Sequence, residues 1–120
     1  MRKFVIREVN TGVKFDLKAG NGEVIATSEV YDSRAACIKG IDCVRKVAST
    51  GKVEDLTAPG QPLANPKFQV YEDKRGAFRF RLKARNGKIV AVSEGYSTIG
   101  ACLDGIQSVC NNAPDAEIEE

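Results

Sequence analysis

Arg79, Arg81, Lys83 and Arg85 alternate with Phe78, Phe80, Leu82 and Ala84 along one short stretch. In an extended strand successive side chains point to opposite faces, so the four cations form one row and the apolar residues the other. Lys88, just past the next turn, extends the row. Such a row is the electrostatic footprint of an anion or nucleic-acid surface. The bland reading is a solvated sheet face whose long stems cover Val90 and Val92.

Three features weigh against nucleic acid. The formal net charge is only +2 over 120 residues, whereas a dedicated nucleic-acid domain is far more basic. The corresponding positions earlier in the chain are Lys14, Asp16, Lys18 and Gly20, so the row is not duplicated. The C-terminal Asp115, Glu117, Glu119 and Glu120 also supply neutralising charge. Nucleic-acid or anion binding through Arg79, Arg81, Lys83, Arg85 and Lys88 is therefore the alternative expectation.

Other chemistry is thinner. The chain has no histidine, which removes the commonest general base and every Ser-His or Cys-His arrangement. Its four cysteines show no Cys-x-x-Cys spacing, and no Gly-rich phosphate loop occurs. Cys37 with Cys43, and Cys102 with Cys110, share predicted helices about 9 and 12 Å apart along the axis, too far for a bond within either pair. Cys37 and Cys102 lie among apolar residues and are expected to be reduced, inert thiols, with a bond between the two left open. Glu29 and Glu94 are expected to pair with Lys14 and Arg79 across strands. An enzyme would be signalled by a crevice at the junction of the two halves holding Tyr31, Tyr96 or a carboxylate. A flat, filled junction would argue otherwise. No catalytic, cofactor or metal residues are expected.

These residues sit in a duplicated framework. LKAGNGEVIATSE at 17–29 returns as LKARNGKIVAVSE at 82–94, and at the same offset of 65 Phe15, Tyr31, Gly40 and Ile41 return as Phe80, Tyr96, Gly105 and Ile106. Phe4 and Glu8 match Phe68 and Glu72 at an offset of 64, so the second copy carries one extra residue in its first turn. Residues 58–66 hold three of the four prolines and read as a semi-extended linker between copies 1–57 and 67–120.

Each copy reads as βββαβ. Alternating runs at 3–9 and 67–72 end in turn-formers, and Asn21-Gly22 and Asn86-Gly87 predict type I′ hairpins, with Leu17 facing Ala26, Ala19 facing Val24 and Phe15 facing Ser28. Ser33 (or Asp32) and Thr98 (or Ser97) are candidate helix caps. Gly40 and Gly105 interrupt the apolar helix faces at matched positions, which predicts close backbone packing there against the sheet or the partner helix. A unit of about 55 residues buries too little surface to stand alone. The two copies are expected to pair about a pseudo-two-fold axis into one compact domain, an internal dimer in a monomeric chain.

Phe68-Gln69-Val70-Tyr71, Phe80-Arg81-Leu82-Lys83-Ala84, Asn86-Gly87, Ser93-Glu94-Gly95-Tyr96 and Gly105-Ile106-Gln107-Ser108-Val109 closely resemble the YegP-like family of small, mostly bacterial proteins. The first copy departs mildly, with Asp16 for Arg81 and Val30 for Gly95. The resemblance spans nearly the whole chain. It implies an α+β fold: tandem βββαβ units in a single antiparallel sheet, final strands exchanged between units, helices on one face. It implies no reaction. The expectation is a non-enzymatic interaction or stress-associated module without cofactor, with an unknown protein partner, no membrane contact and a cytoplasmic location.

Overall fold

A computed structural model describes residues 1–120. Its strands are β1 (Lys3–Val9), β2 (Gly12–Lys18), β3 (Val24–Ser28), β4 (Val53–Asp55), β5 (Lys67–Glu72), β6 (Phe78–Lys83), β7 (Ile89–Val92) and β8 (Glu117–Glu119); the helices are α1 (Arg34–Thr50) and α2 (Ile99–Asn112), the latter followed by a 3-10 turn at Ala113–Asp115.

All eight strands join one sheet in the order β4-β5-β6-β7-β3-β2-β1-β8. The order is unchanged when the repeats are exchanged, as a two-fold axis between β3 and β7 requires. There Thr27 pairs with Val92 and Ser28 with Ala91. The final strand of each repeat leaves its own repeat: β4 lies on β5 and β8 on β1. Inner pairings are antiparallel, but these two outer ones are parallel, so the sheet is mixed. Parallel neighbours cannot be joined by a hairpin, because the chain must first run back the length of a strand. The linker makes that return between β4 and β5.

Helix-facing positions form the core. Phe4, Phe15, Leu17, Phe68, Phe80 and Leu82 from the sheet meet Cys37, Ile41, Val44, Cys102 and Val109 from the helices, all fully buried. Ser33 and Thr98 cap α1 and α2, their hydroxyls accepting from the N–H of Ala36 and Ala101 at 3.1 Å. The cysteines are all unpaired, and burial pushes the Cys102 thiol up to about 11.

The hairpins differ from the type I′ expectation. No non-glycine residue has positive φ; only Gly22 (+87°) and Gly87 (+84°) do at these turns. The turn runs Ala19 to Gly22, with the Ala19 N–H then donating to Glu23 O, which is a type I turn closed by a glycine bulge. Asn21 keeps ordinary φ and its side chain accepts from the Glu23 N–H at 3.0 Å. Leu17 does face Ala26, but a bulge shifts Val24 opposite Lys18 rather than Ala19, and the second copy shifts likewise.

Candidate functional site

The basic row projects from the sheet face opposite the helices, and much of it is already engaged. Arg79 donates from Nε to Asp73 at 2.7 Å and from Nη1 to the Ser93 carbonyl at 3.2 Å. Arg79 thus meets Asp73 rather than Glu94, and Arg7 with Asp16 (2.9 Å) replaces the expected Lys14 with Glu29. The ladder stops at Val92 and Ser28, leaving both glutamates exposed beyond it. Asp73 is preorganised by the N–H groups of Arg75 and Ala77. The Arg79 guanidinium holds its carboxyl below the usual range, aided by those N–H groups.

Arg81 donates to Gln69 Oε1 at 2.8 Å, with its guanidinium 4.5 Å from the centre of the Tyr71 ring. Gln69 in turn donates to Glu54 at 2.6 Å, and Glu54 also receives Lys67 Nζ (3.0 Å) and the Leu63 N–H (2.6 Å). Lys67 donates as well to the Leu63 carbonyl. This buried network ties β4, β5, β6 and the linker together. The bonds from Gln69, Leu63 and Lys67 draw the Glu54 carboxyl down to about 2. Lys83 is half-buried opposite Lys67, while Arg85 and Lys88 are exposed. The acidic tail neutralises the other repeat: Glu119 pairs with Lys3, Asp115 with Arg2 and Glu120 with Arg34.

The crevice that would signal an enzyme is present. A cleft of about 730 Å³ opens between the repeats, lined on one side by Glu29, Tyr31, Ala36, Lys39, Gly40 and Cys43, and on the other by Ala84, Asn86, Gly87, Lys88, Ile89 and Val90. Tyr31 is placed by a backbone pair with Val13 and stacks on Phe15 at 6.3 Å between ring centres. Its phenol lies against α1 at Gly40, where any Cβ would collide with the ring and hydroxyl. The mid-helix glycine thus makes room for a tyrosine from its own repeat. Burial above all, and then the neighbouring Cys43, Cys37 and Glu29, push the Tyr31 hydroxyl up to about 12. It remains protonated at neutral pH, on a residue that is half-buried.

The pseudo-symmetric twin of this cleft has the same skeleton. Glu94, Tyr96, Ala101, Gly105, Ala19, Asn21 and Gly22 repeat seven of the twelve lining residues, and Val24 and Ile25 stand for Ile89 and Val90. Tyr96 stacks on Phe80 and lies against Gly105 as Tyr31 does at Gly40. The remaining three positions change chemistry: Lys39 becomes Asp104, Lys88 becomes Glu23 and Cys43 becomes Ser108. Burial raises the Tyr96 hydroxyl too, with help from Cys102, Glu94 and Glu23. No comparable cavity opens on this side.

Of the five basic residues singled out from sequence, only Lys88 reaches the cleft, whereas Tyr31, named for a crevice at the junction, does line it together with the carboxylate of Glu29. Lys39 was missed, because a lone lysine on a helix carries no signal. The signal available was that the two copies reverse charge at matched positions.

The model of the domain of unknown function DUF1508 matches residues 9–55 and again 73–120. A UPF0339 protein of Photorhabdus laumondii is 36% identical over 114 residues, covering 95% of this chain and 88% of that protein. One from Treponema denticola is 56% identical over 54 residues, which are 45% of this chain but 93% of that protein. The solution structure of yegP from E. coli, described as a protein of unknown function, superposes with a TM-score of 0.80 at 30% identity, covering 98% of this chain and 90% of that one.

Proposed function

This chain belongs to the DUF1508 family, carrying its domain twice, and we propose that it is a non-enzymatic binding module whose working surface is the cleft between the two repeats. The observation that carries this reading is that one side of a nearly symmetric molecule keeps an open cleft of small-ligand size, lined equally by both repeats.

Binding is favoured over catalysis by the groups present. A hydroxyl held near 12 is a poor base at neutral pH, the chain has no imidazole, and no cluster of metal-binding side chains occurs. The nucleic-acid alternative is weakened because Arg79 and Arg81, the centre of the basic row, already have internal partners. No helix is long and apolar enough to cross a membrane, and a cytoplasmic location is part of this proposal.

The test is amide chemical-shift mapping of the ¹⁵N-labelled chain against a panel of small organic anions, cations and neutral compounds, and against single-stranded oligonucleotides. The proposal expects saturable shifts at Gly40, Gly87 and Lys88 with some small compounds. Shifts confined to β5 and β6 with oligonucleotide, lost in Arg79→Ala with Arg81→Ala and weakened by salt, would transfer the function to the basic row.

A further inference from the structure

The cleft's chemistry narrows its ligand, an inference that rests on the binding role just proposed. Half of its lining is hydrophobic, with Ile89 and Val90 the bulkiest apolar contributors. Its charged groups are Lys39 on α1, Lys88 on the opposite hairpin and a single carboxylate, Glu29. Two ammonium groups facing one carboxylate leave one positive charge unmatched, and the Tyr31 hydroxyl adds a neutral donor. The twin provides an internal control. On the same backbone, its charged positions are Asp104, Glu23 and Glu94, so positive charge belongs to this cleft and not to the fold.

We propose that the cleft binds an amphipathic monocarboxylate, with its anionic head between Lys39 and Lys88 near Tyr31 Oη and its apolar body against Ile89 and Val90. A polyphosphate would demand more cations and less apolar wall, and an organic cation would suit the acidic twin better.

Octanoate is the probe, with octan-1-ol and octylammonium as neutral and cationic counterparts of the same chain length, each titrated into the ¹⁵N-labelled full chain at low salt. Octanoate should shift Gly40, Gly87 and Lys88 saturably and bind about tenfold more tightly than octanol, the scale of one charge-assisted contact. Lys39→Asp with Lys88→Glu, which installs the twin's residues, should reduce octanoate affinity by about tenfold or more. Should that variant misfold, Lys39→Gln with Lys88→Gln should give the same direction. Octanol or octylammonium binding as tightly as octanoate, or charge variants binding octanoate undiminished, would overturn the carboxylate assignment while leaving the cleft a binding site. Absence of cleft shifts with all three probes would overturn both.

Discussion

A methyl group at Gly40 or Gly105 has no free volume to enter: at Gly105 it meets the Tyr96 hydroxyl and the Phe80 ring, both anchored in the aromatic stack. Alanine normally gains about 1 kcal/mol over glycine inside a helix. Overpacking against rigid groups costs about 1–3 kcal/mol, so Gly105→Ala should lower stability despite the better helix former. Urea unfolding would measure this, and Gly105→Ala combined with Tyr96→Leu should lose less than the sum of the two single changes. Glu54 gives a pH-dependent counterpart. Its folded pKa of about 2 lies below the ordinary 4.5, so it stabilises the fold above about pH 5, and that contribution is lost as pH falls toward 2. The stability difference between the natural chain and Glu54→Gln should therefore shrink across this interval, as urea midpoints measured at several pH values would reveal.

Among the elements, α1 does more than fill the core. Arg45 donates to the carbonyls of Ala116 (2.7 Å) and Ala113 (3.4 Å) and stacks over Phe4 at 5.3 Å, so a helix of the first repeat aims β8 of the second. Its counterpart in α2 is Cys110. Arg45→Ala should cost about 1–3 kcal/mol, with Arg45→Lys recovering little because an ammonium cannot span both carbonyls and the ring. Amide exchange of Phe4 and Val5 should accelerate in both. The elements themselves were legible because the β and helical periods, the caps at Ser33 and Thr98 and the matched glycines each appear twice. The turn type was not, since Asn-Gly suits both a type I′ turn and a type I turn with a bulge; glycine supplies the positive φ either way. Ion pairs were misjudged where they depend on unread neighbours: Arg7 meets Asp16 across β1 and β2, and Asp73 is held by its own turn. The Glu54 network and the cleft were least legible, because each needs to know which strand or hairpin of one repeat meets the other.

Across the whole molecule, each repeat gives away its last strand and receives its partner's. Residues 1–58 alone would leave β1 without β8, and β4 without β5. That fragment should be unfolded at high dilution, and should recover native helicity on mixing with residues 59–120; circular dichroism against concentration checks both. The Treponema denticola relative, 93% of which aligns with 54 residues of this chain, is about the length of one repeat. Two identical chains assembled in this way would carry every substitution twice, so their clefts would always match in charge. Covalent joining lifts that constraint: a lysine at 39 need not bring a lysine at 104, and matched positions of the two repeats are free to diverge in charge, as Lys39 and Lys88 have from Asp104 and Glu23.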